Sequence, residues 1–423
     1  MQMNTNIFLA GRLASKADKS GKLSNTSRVI SVVSVAISIC VIIIAIAVAN
    51  GFRFQIAEKA RGFAADIVLT TPGEDIINTV NPINADLSYK SKIEELPFVD
   101  NVFPVSYKQG ILKTDNQISG LVIKGVDSTY NTDFYKNHLV EGRVPAFGGK
   151  RASEEIIISK RLADMMQYNV GDKVTAYFIG DEVKVRRFTL VGTFDAQLEQ
   201  VDKYFALADI RHINILNKWN NRVSGFEVFF KDNDVTMARD EDELNCRVDQ
   251  INDIMYSFST ENDLSVSITT LHRRFYVLRD WLHLLDLNVL IILTLMIVVA
   301  GFNMVSGLLI LLFERVQHIG LLKALGMTNR QVAKIFLLQG AFIVIKGMVW
   351  GNGVALLFCL LEAKYNFIPL SPDNYFVSSV PISIGVVEVF AVNILAFALI
   401  TLLLVLPCYF ISKISPAKTM RAK

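Results

Sequence analysis

Groups that could do chemistry are sparse in this chain of 423 residues. The five histidines, His138, His212, His272, His283 and His318, are scattered, and no H-E-x-x-H or Cys/His spacing offers a metal site. Gly148-Gly149-Lys150-Arg151 comes nearest to a phosphate-binding loop. It lacks the glycine five residues before Gly149 and the hydroxyl after the lysine. No G-x-S-x-G elbow is present. The carboxylates at Glu154-Glu155 and in the run 240–243 read as solvated acidic surface. The sequence offers no catalytic constellation, so any energy the protein uses must enter through another subunit.

Two ionisable residues stand inside long apolar runs, where an unpaired charge costs several kcal/mol. Lys346 lies about 17 Å from one end of its run and Glu388 about 22 Å from the same side, counting roughly 1.5 Å per helical residue. A lysine side chain spans the difference, so the two are expected to pair across neighbouring spans. The stretch 314–331, ERVQHIGLLKALGMTNRQ, joins two apolar runs. Read as a helix it has no clean polar side: Arg315, His318 and Lys323 point in different directions, with Val316, Ile319, Leu321 and Leu322 between them. Such a helix suits neither lipid nor open water. It calls for a protein cleft. Gly326 supplies a helix stop, and Thr328 with Gln331 has the spacing of a capping box that starts the next helix.

The elements that must position these groups follow from hydropathy. The chain is 52% hydrophobic and has four runs long enough to span a bilayer, which takes about 20 residues. The expected layout is a cytoplasmic interfacial helix at 1–28, spans at 29–50, 284–313, 335–361 and 382–411, and a large α+β domain at 51–283 with a terminal stalk. A cytoplasmic coupling segment at 314–334, an outer loop at 362–381 and a cytoplasmic tail at 412–423 complete it. The first run is about 21 residues after a flank of about 28, too long for a secretory signal, and reads as an uncleaved anchor. Lys and Arg concentrate in the N-terminal flank, in 314–334 and in the tail, which places all three and both termini in the cytoplasm. Residues 51–283 then lie outside, with 28 basic and 34 acidic residues. The net charge of +3 is therefore an orientation signal and not a nucleic-acid footprint. Ser27, Ser31, Ser34 and Ser38 form one stripe and Gly340, Gly347 and Gly351 another, both suited to close helix packing. In the outer domain, strands are expected at 120–126, 155–159, 173–179, 188–194 and 225–230, with helices at 160–168, 209–218 and in the stalk 271–287. Cys246 alone lies outside the spans, so no disulfide framework is available there.

In layout and local motifs the chain resembles the FtsX-like permease family, and within it the lipoprotein-releasing transmembrane subunits of the LolC/LolE type. The resemblance rests on Ala49-Asn50-Gly51-Phe52, Gly171-Asp172-Lys173-Val174, Val191-Gly192-Thr193-Phe194, the segment LSPDNYFVSSVPI at 370–382 and Ser415-Pro416-Ala417. Its most specific part is Gly320-Leu321-Leu322-Lys323-Ala324-Leu325-Gly326. The resemblance implies a multi-pass inner-membrane subunit with a MacB-like periplasmic domain. Its coupling helix, with Arg315, Ile319, Leu322, Lys323, Ala324, Leu325 and Gly326, would seat on an ATP-binding partner. That partner would be present in two copies and would bring ATP and Mg. This chain would bind no cofactor and no metal. A second permease, copy or paralogue, would complete the assembly, and acyl chains of a lipoprotein or lipid-linked cargo would enter near Val48, Phe52, Leu285, Val289 and Ile292. LolC-type subunits hold a periplasmic carrier with a long hairpin, whereas the connection at 175–190 here is short. His318 and Lys418 stand where acids are common in the family. The implied function is extraction of lipoproteins from the inner membrane. The alternative is a mechanotransmission permease of the same fold that drives efflux or peptide export, or regulates a cell-wall hydrolase.

Overall fold

The computed structural model describes residues 22–115, 117–180, 182–231, 241–258, 266–314, 320–321 and 323–412. Residues 1–21 of the expected interfacial segment 1–28, residues 232–240 and the tail from 413 lie outside the described residues, while 22–28 are already helical. The chain divides into two compact units, one of 1–52, 282–368 and 380–423 and one of 53–281 and 369–379.

The first unit is helical. Its long elements are α1 (Lys22–Ala64), α5 (Tyr276–Glu314), α6 (Asn329–Tyr365) and α7 (Val386–Ser412). All four are long and apolar enough to cross a membrane. The first three exceed the roughly 20 residues that a hydrocarbon core requires, so they continue past it. Residues spaced by four build the core: Val35, Ile39 and Ile43 of α1 meet Ala300, Met304, Leu308 and Leu312 of α5. Ile343, Val344 and Ala355 of α6 and Ala396, Ile400 and Leu404 of α7 complete it.

Small residues set how closely these helices approach. A Cβ on Gly351 would stand 2.6 Å from the Ala36 carbonyl oxygen, and one on Gly347 would stand 2.7 Å from Val35 Cβ. Gly340 instead faces Leu404 of α7. The expected glycine stripe is thus divided between two neighbours. Ser31 and Ser38 are buried, and Ser34 Oγ accepts from the Asn303 amide at 2.6 Å. Asn352 and Asn393 exchange side-chain hydrogen bonds of 2.8 and 2.9 Å between α6 and α7. Such bonds replace the drive that burial cannot supply in lipid.

The second unit holds strands β1 (Ile67–Thr70), β2 (Ile83–Asn84), β3 (Val99–Lys113), β4 (Ile118–Val126), β5 (Leu139–Gly142), β6 (Glu155–Ser159), β7 (Lys173–Phe178), β8 (Lys184–Phe194), β9 (Phe205–Asp209), β10 (Arg222–Val223), β11 (Gly225–Phe230) and β12 (Ser267–Thr270). Ten form one sheet in the order β12-β1-β11-β3-β4-β9-β6-β8-β5, with β7 joined to β3 and β8; β2 pairs with β10. Pairs β4/β9 and β6/β8 are parallel and the others antiparallel. Two cores lie along this sheet. One gathers Ile67, Tyr89, Val228 and Phe230 with Leu244 and Ile251 of α4 (Glu241–Phe258). The other gathers Ile123, Ile156, Phe188 and Leu190 with Leu162 and Met166 of α2 (Lys160–Met166) and Ile213 and Leu216 of α3 (Ile210–Asn217).

Both short helices match the sequence expectation less their caps. Ser159 Oγ accepts from Leu162 N at 3.0 Å, Asp209 caps α3, and Gln167 and Lys218 end the helices with φ of +59° and +57°. The stalk differs from expectation. A helical turn at Leu271–Arg274 stops at Phe275, whose ψ of 50° leaves the helical region before α5 begins.

Gly351→Leu is expected to lower the thermal midpoint of the detergent-purified chain, since overpacking costs about 1–3 kcal/mol. Gly353→Leu, whose added Cβ would meet nothing within 4 Å, should leave it unchanged. Equal midpoints for the two variants, read by intrinsic fluorescence, would contradict the close approach of α1 and α6.

Candidate functional site

At one end of the helical unit, the described part of the connecting segment shows how its apolar side chains are held. Gly326 has φ of +93°, a conformation that a side chain would strain, and its N–H donates to the Lys323 carbonyl at 3.0 Å. Thr328 and Gln331 form the expected capping box, with Thr328 N donating to Gln331 Oε1 at 2.8 Å. Val332, Ile335 and Phe336 then bury the first turns of α6. The turn is pinned, yet Leu321 is 58% exposed and Leu325 75%. Ala324 is exposed and Lys323 half-buried. Arg315, Ile319 and Leu322 lie outside the described residues.

At the opposite end of the same unit, α1 and the start of α7 touch through their backbones. Ser383 N donates to Ala47 O at 3.0 Å, and a Cβ on Gly51 would fall 2.1 Å from the Pro381 carbonyl oxygen. The Asn50 amide donates to the Glu388 carboxylate, which sits in the first turn of α7, where the helix dipole favours an acid. The expected pairing with Lys346 does not occur. Lys346 is exposed on the face of α6 that carries Ile345, Val349 and Trp350, and no ion pair joins it to Glu388 among the described residues. The rotation of α6 explains this, because Val344, Gly347 and Gly351 take the inward positions.

The residues expected around an acyl-chain cavity differ in exposure. Phe52 is only 6% exposed; Val48, Leu285 and Val289 are half-buried; Ile292 is exposed. None of them lines the narrow crevice between α1 and α7 at Ile43, Ala47 and Glu388. Phe52 is thus turned inward, and the other four present apolar surface.

In the outer domain the structure assembles a charged cluster that the sequence did not disclose. Lys124 on β4 and Glu227 on β11 are 103 positions apart and both fully buried, and they pair at 2.8 Å. The Lys124 ammonium uses all three N–H groups, donating also to Tyr130 Oη at 2.7 Å and to the Phe63 carbonyl at 2.6 Å. Phe63 stands in the last turn of α1, so this cation caps a helix C-terminus and satisfies a carbonyl that has no intrahelical donor. Tyr107 Oη donates to the other Glu227 oxygen at 2.8 Å. Arg274, in the turn that leads to α5, donates to Tyr107 Oη at 3.2 Å and to Ala64 O at 3.4 Å, and lies 3.8 Å from Glu227.

Burial pushes the Lys124 ammonium down to about 8 while Glu227 pulls it back up, so it keeps its charge at neutral pH. Burial raises the hydroxyls of Tyr107, Tyr130 and Tyr135, which stay protonated donors. A neighbouring clamp fixes the corner after the helix. Arg61 pairs with buried Asp66 at 2.9 Å, and Asp66 accepts from Phe230 N at 2.6 Å. Among the described residues, no three His, Cys, Asp or Glu side chains converge as a metal-ligand set.

A four-helix membrane unit with a mixed α+β domain spliced between its first two helices is the architecture of a multi-pass permease. Residues 290–416 match the FtsX-like permease C-terminal domain and residues 29–243 the MacB-like periplasmic core domain. The chain belongs to the FtsX-like permease family, as a multi-pass inner-membrane protein whose large domain is periplasmic. It is similar to the lipoprotein-releasing system transmembrane protein LolC of Haemophilus influenzae, at 23% identity over 100% of both chains. LolE of the same organism is 21% identical over 99% of both, and LolC of Xylella fastidiosa (strain Temecula1) 20% identical over 92% of both. The periplasmic region of MacB from Actinobacillus actinomycetemcomitans aligns with 52% of this chain and 94% of its own at 13% identity and a TM-score of 0.33. The extracellular domain of the transporter YknZ from Gram-positive bacteria aligns with 48% and 99% at 16% identity and a TM-score of 0.31.

Removing one partner of a buried ion pair costs about 3–5 kcal/mol because the other charge is left uncompensated. Lys124→Met should therefore lower the melting point of the periplasmic domain within the full chain by about 10 °C, taking roughly 2–4 °C per kcal/mol. Adding Glu227→Gln should recover at least half of that loss. A double variant as unstable as the sum of both singles would show that the two charges act independently.

Proposed function

We propose that this protein is the permease subunit of a transporter that extracts lipoproteins from the outer leaflet of the inner membrane, powered by ATP hydrolysis in a separate subunit. The observation that carries the reading is the end-to-end likeness to relatives named as lipoprotein-releasing transmembrane proteins, which covers both spans and domain in one order. In this reading both termini and the 314–334 segment are cytoplasmic. Arg315, Ile319, Leu322, Lys323, Ala324, Leu325 and Gly326 form the coupling helix, and the exposed Leu321 and Leu325 fill a cleft on the ATP-binding partner. An apolar pair held on a pinned turn is costly in water and favourable in such a cleft. ATP and Mg stay with two copies of that partner.

A second permease, copy or paralogue, completes the membrane part, and the apolar surface at Val48, Phe52, Leu285, Val289 and Ile292 meets the acyl chains. β7 and β8 are joined by only five residues, 179–183. This chain therefore offers no long arm at that position to a periplasmic carrier, and carrier docking falls to the other permease.

Purification from native membranes in mild detergent, followed by mass spectrometry, tests the reading. An ATP-binding subunit together with acylated lipoprotein is the expected outcome. An ATPase with a periplasmic hydrolase or an outer-membrane channel, and no lipoprotein, would replace lipoprotein release by the mechanotransmission alternative. For coupling, Leu325→Asp or Lys323→Glu should reduce ATPase activity of the assembled complex at least tenfold without moving its melting point. Full activity in both variants would remove the coupling assignment.

A further inference from the structure

The link between α6 and α7 does not stay with the helices it joins. Residues 369–379 group with the periplasmic domain, although 368 and 380 on either side belong to the helical unit. The link is built as a stiff hairpin. Asn366 ends α6 in the left-handed region with its N–H on Glu362 O at 2.8 Å, and the buried Glu362 carboxylate accepts from Ile368 N at 3.3 Å. Leu370 N donates to Ser378 O at 2.9 Å and Val380 N to Ile368 O at 3.2 Å, so the two arms run as a short antiparallel ribbon. Pro369 and Pro372 fix their own φ, and the helical turn Pro372–Tyr375 closes the tip.

The tip holds two spanning helices at once. Phe376 has φ of +61°, a region that a bulky side chain rarely enters. Its carbonyl accepts from the Lys59 ammonium of α1 at 2.9 Å. Its ring stands edge-on to Trp281 of α5, with centroids 5.7 Å apart. Val377 beside it is only 1% exposed. Lys59 also donates to Gln197 Oε1, which brings in the loop after β8. A strained residue persists only where its surroundings hold it, and strain of this kind gathers at switches and clamps. Phe376 is held by a helix on each side.

The other end of α6 is the pinned turn at Gly326 and Thr328. Between turn and hairpin the helix runs unbroken for 37 residues, a rod of about 55 Å. Rigid elements joined through packed and hydrogen-bonded contacts are what carry coupling between distant sites. We propose that the hairpin 368–380 is a transmission strap: movement of α6 at its cytoplasmic turn passes through Phe376 to Lys59 on α1 and Trp281 on α5, and so to the periplasmic domain. The strap works by staying attached and not by opening. It rests on the ATP-driven reading above and adds a third connection to the two helices that run into the domain.

The test uses the full complex in nanodiscs, with partner subunits freed of accessible cysteines and an environment-sensitive dye on Cys246, which is exposed on α4 of the periplasmic domain. ATP should change the dye's emission in the wild type. Insertion of Gly-Ser-Gly-Ser between Asn366 and Phe367 lengthens the arm from α6 while sparing the contacts of the tip. It should shrink the ATP-dependent change at least fivefold, with ATP still hydrolysed and the melting point unchanged. A merely structural hairpin would not register the longer arm. The same insertion between Lys150 and Arg151, both exposed on the same domain, should leave the change intact. A photoreactive phenylalanine at Phe376, cross-linked by light to α5, should keep the full response. A wild-type dye that ignores ATP, a response that survives the insertion after Asn366, or one abolished by the cross-link would overturn the strap. A normal dye response in a complex that releases no lipoprotein from the nanodisc would overturn the lipoprotein reading and leave the strap standing.

Discussion

A helix that ends inside a folded domain must find donors for its last carbonyls, and no water is there to supply them. The first helix of this permease meets that constraint with cations. Lys124 and Arg274 donate to Phe63 O and Ala64 O, and Glu227 lies within ion-pair distance of both cations. A helix end held this way cannot fray, so α1 stays helical for 43 residues, well past the roughly 20 that a membrane requires. The cluster also fixes three strands to one another, because Tyr107, Lys124 and Glu227 come from β3, β4 and β11. Breaking the pair would expose all of these connections together.

The same cluster treats the two spanning helices unequally. Its bond to α1 is made at the carbonyl end of a continuous helix, whereas Arg274 sits one residue before Phe275, where the helix leading to α5 is interrupted. The Phe275 N–H still donates to Leu271 O at 2.9 Å and its carbonyl accepts from Arg279 N at 3.1 Å, so the interruption lies in its dihedrals and not in its hydrogen bonds.

Much of this was legible in the sequence, and the parts that were not share a physical cause. The four spans, the Gly326 stop, the Thr328–Gln331 capping box and the helices after Ser159 and Asp209 are local: each is set by residues within a turn or two. β3 escaped because Pro104 and Gly110 interrupt its alternation. Pro104 is tolerated since β4 joins β3 only from Ser106 onward, so the missing N–H faces no partner strand there. The Lys124–Glu227 pair escaped because each residue reads as an ordinary polar position in its own strand. Only the pairing of β11, β3 and β4 brings them together. Lys346 and Glu388 fail in the opposite sense: depth alone suggested a pair, but helix rotation decides contact, and Gly347 and Gly351 had already fixed that rotation.

What the chain leaves unsatisfied then says where it needs company. Inside the periplasmic domain, the buried charges of Lys124, Glu227 and Asp66 are paired and hydrogen-bonded, which is the condition for tolerating them. On the helical unit the reverse holds. Leu321 and Leu325 stand exposed on a turn that a positive φ and a capping box prevent from folding away, and the Lys346 ammonium stands among Ile345, Val349 and Trp350. Lipid covers the isoleucine, valine and tryptophan at no cost, but an ammonium at that depth requires water, an acceptor or the length of its own stem to reach the interface. The exposed leucines require protein for the converse reason, since they lie past the end of the spanning run. Apolar surface past the end of a spanning run is thus the feature of this turn that neither lipid nor water satisfies.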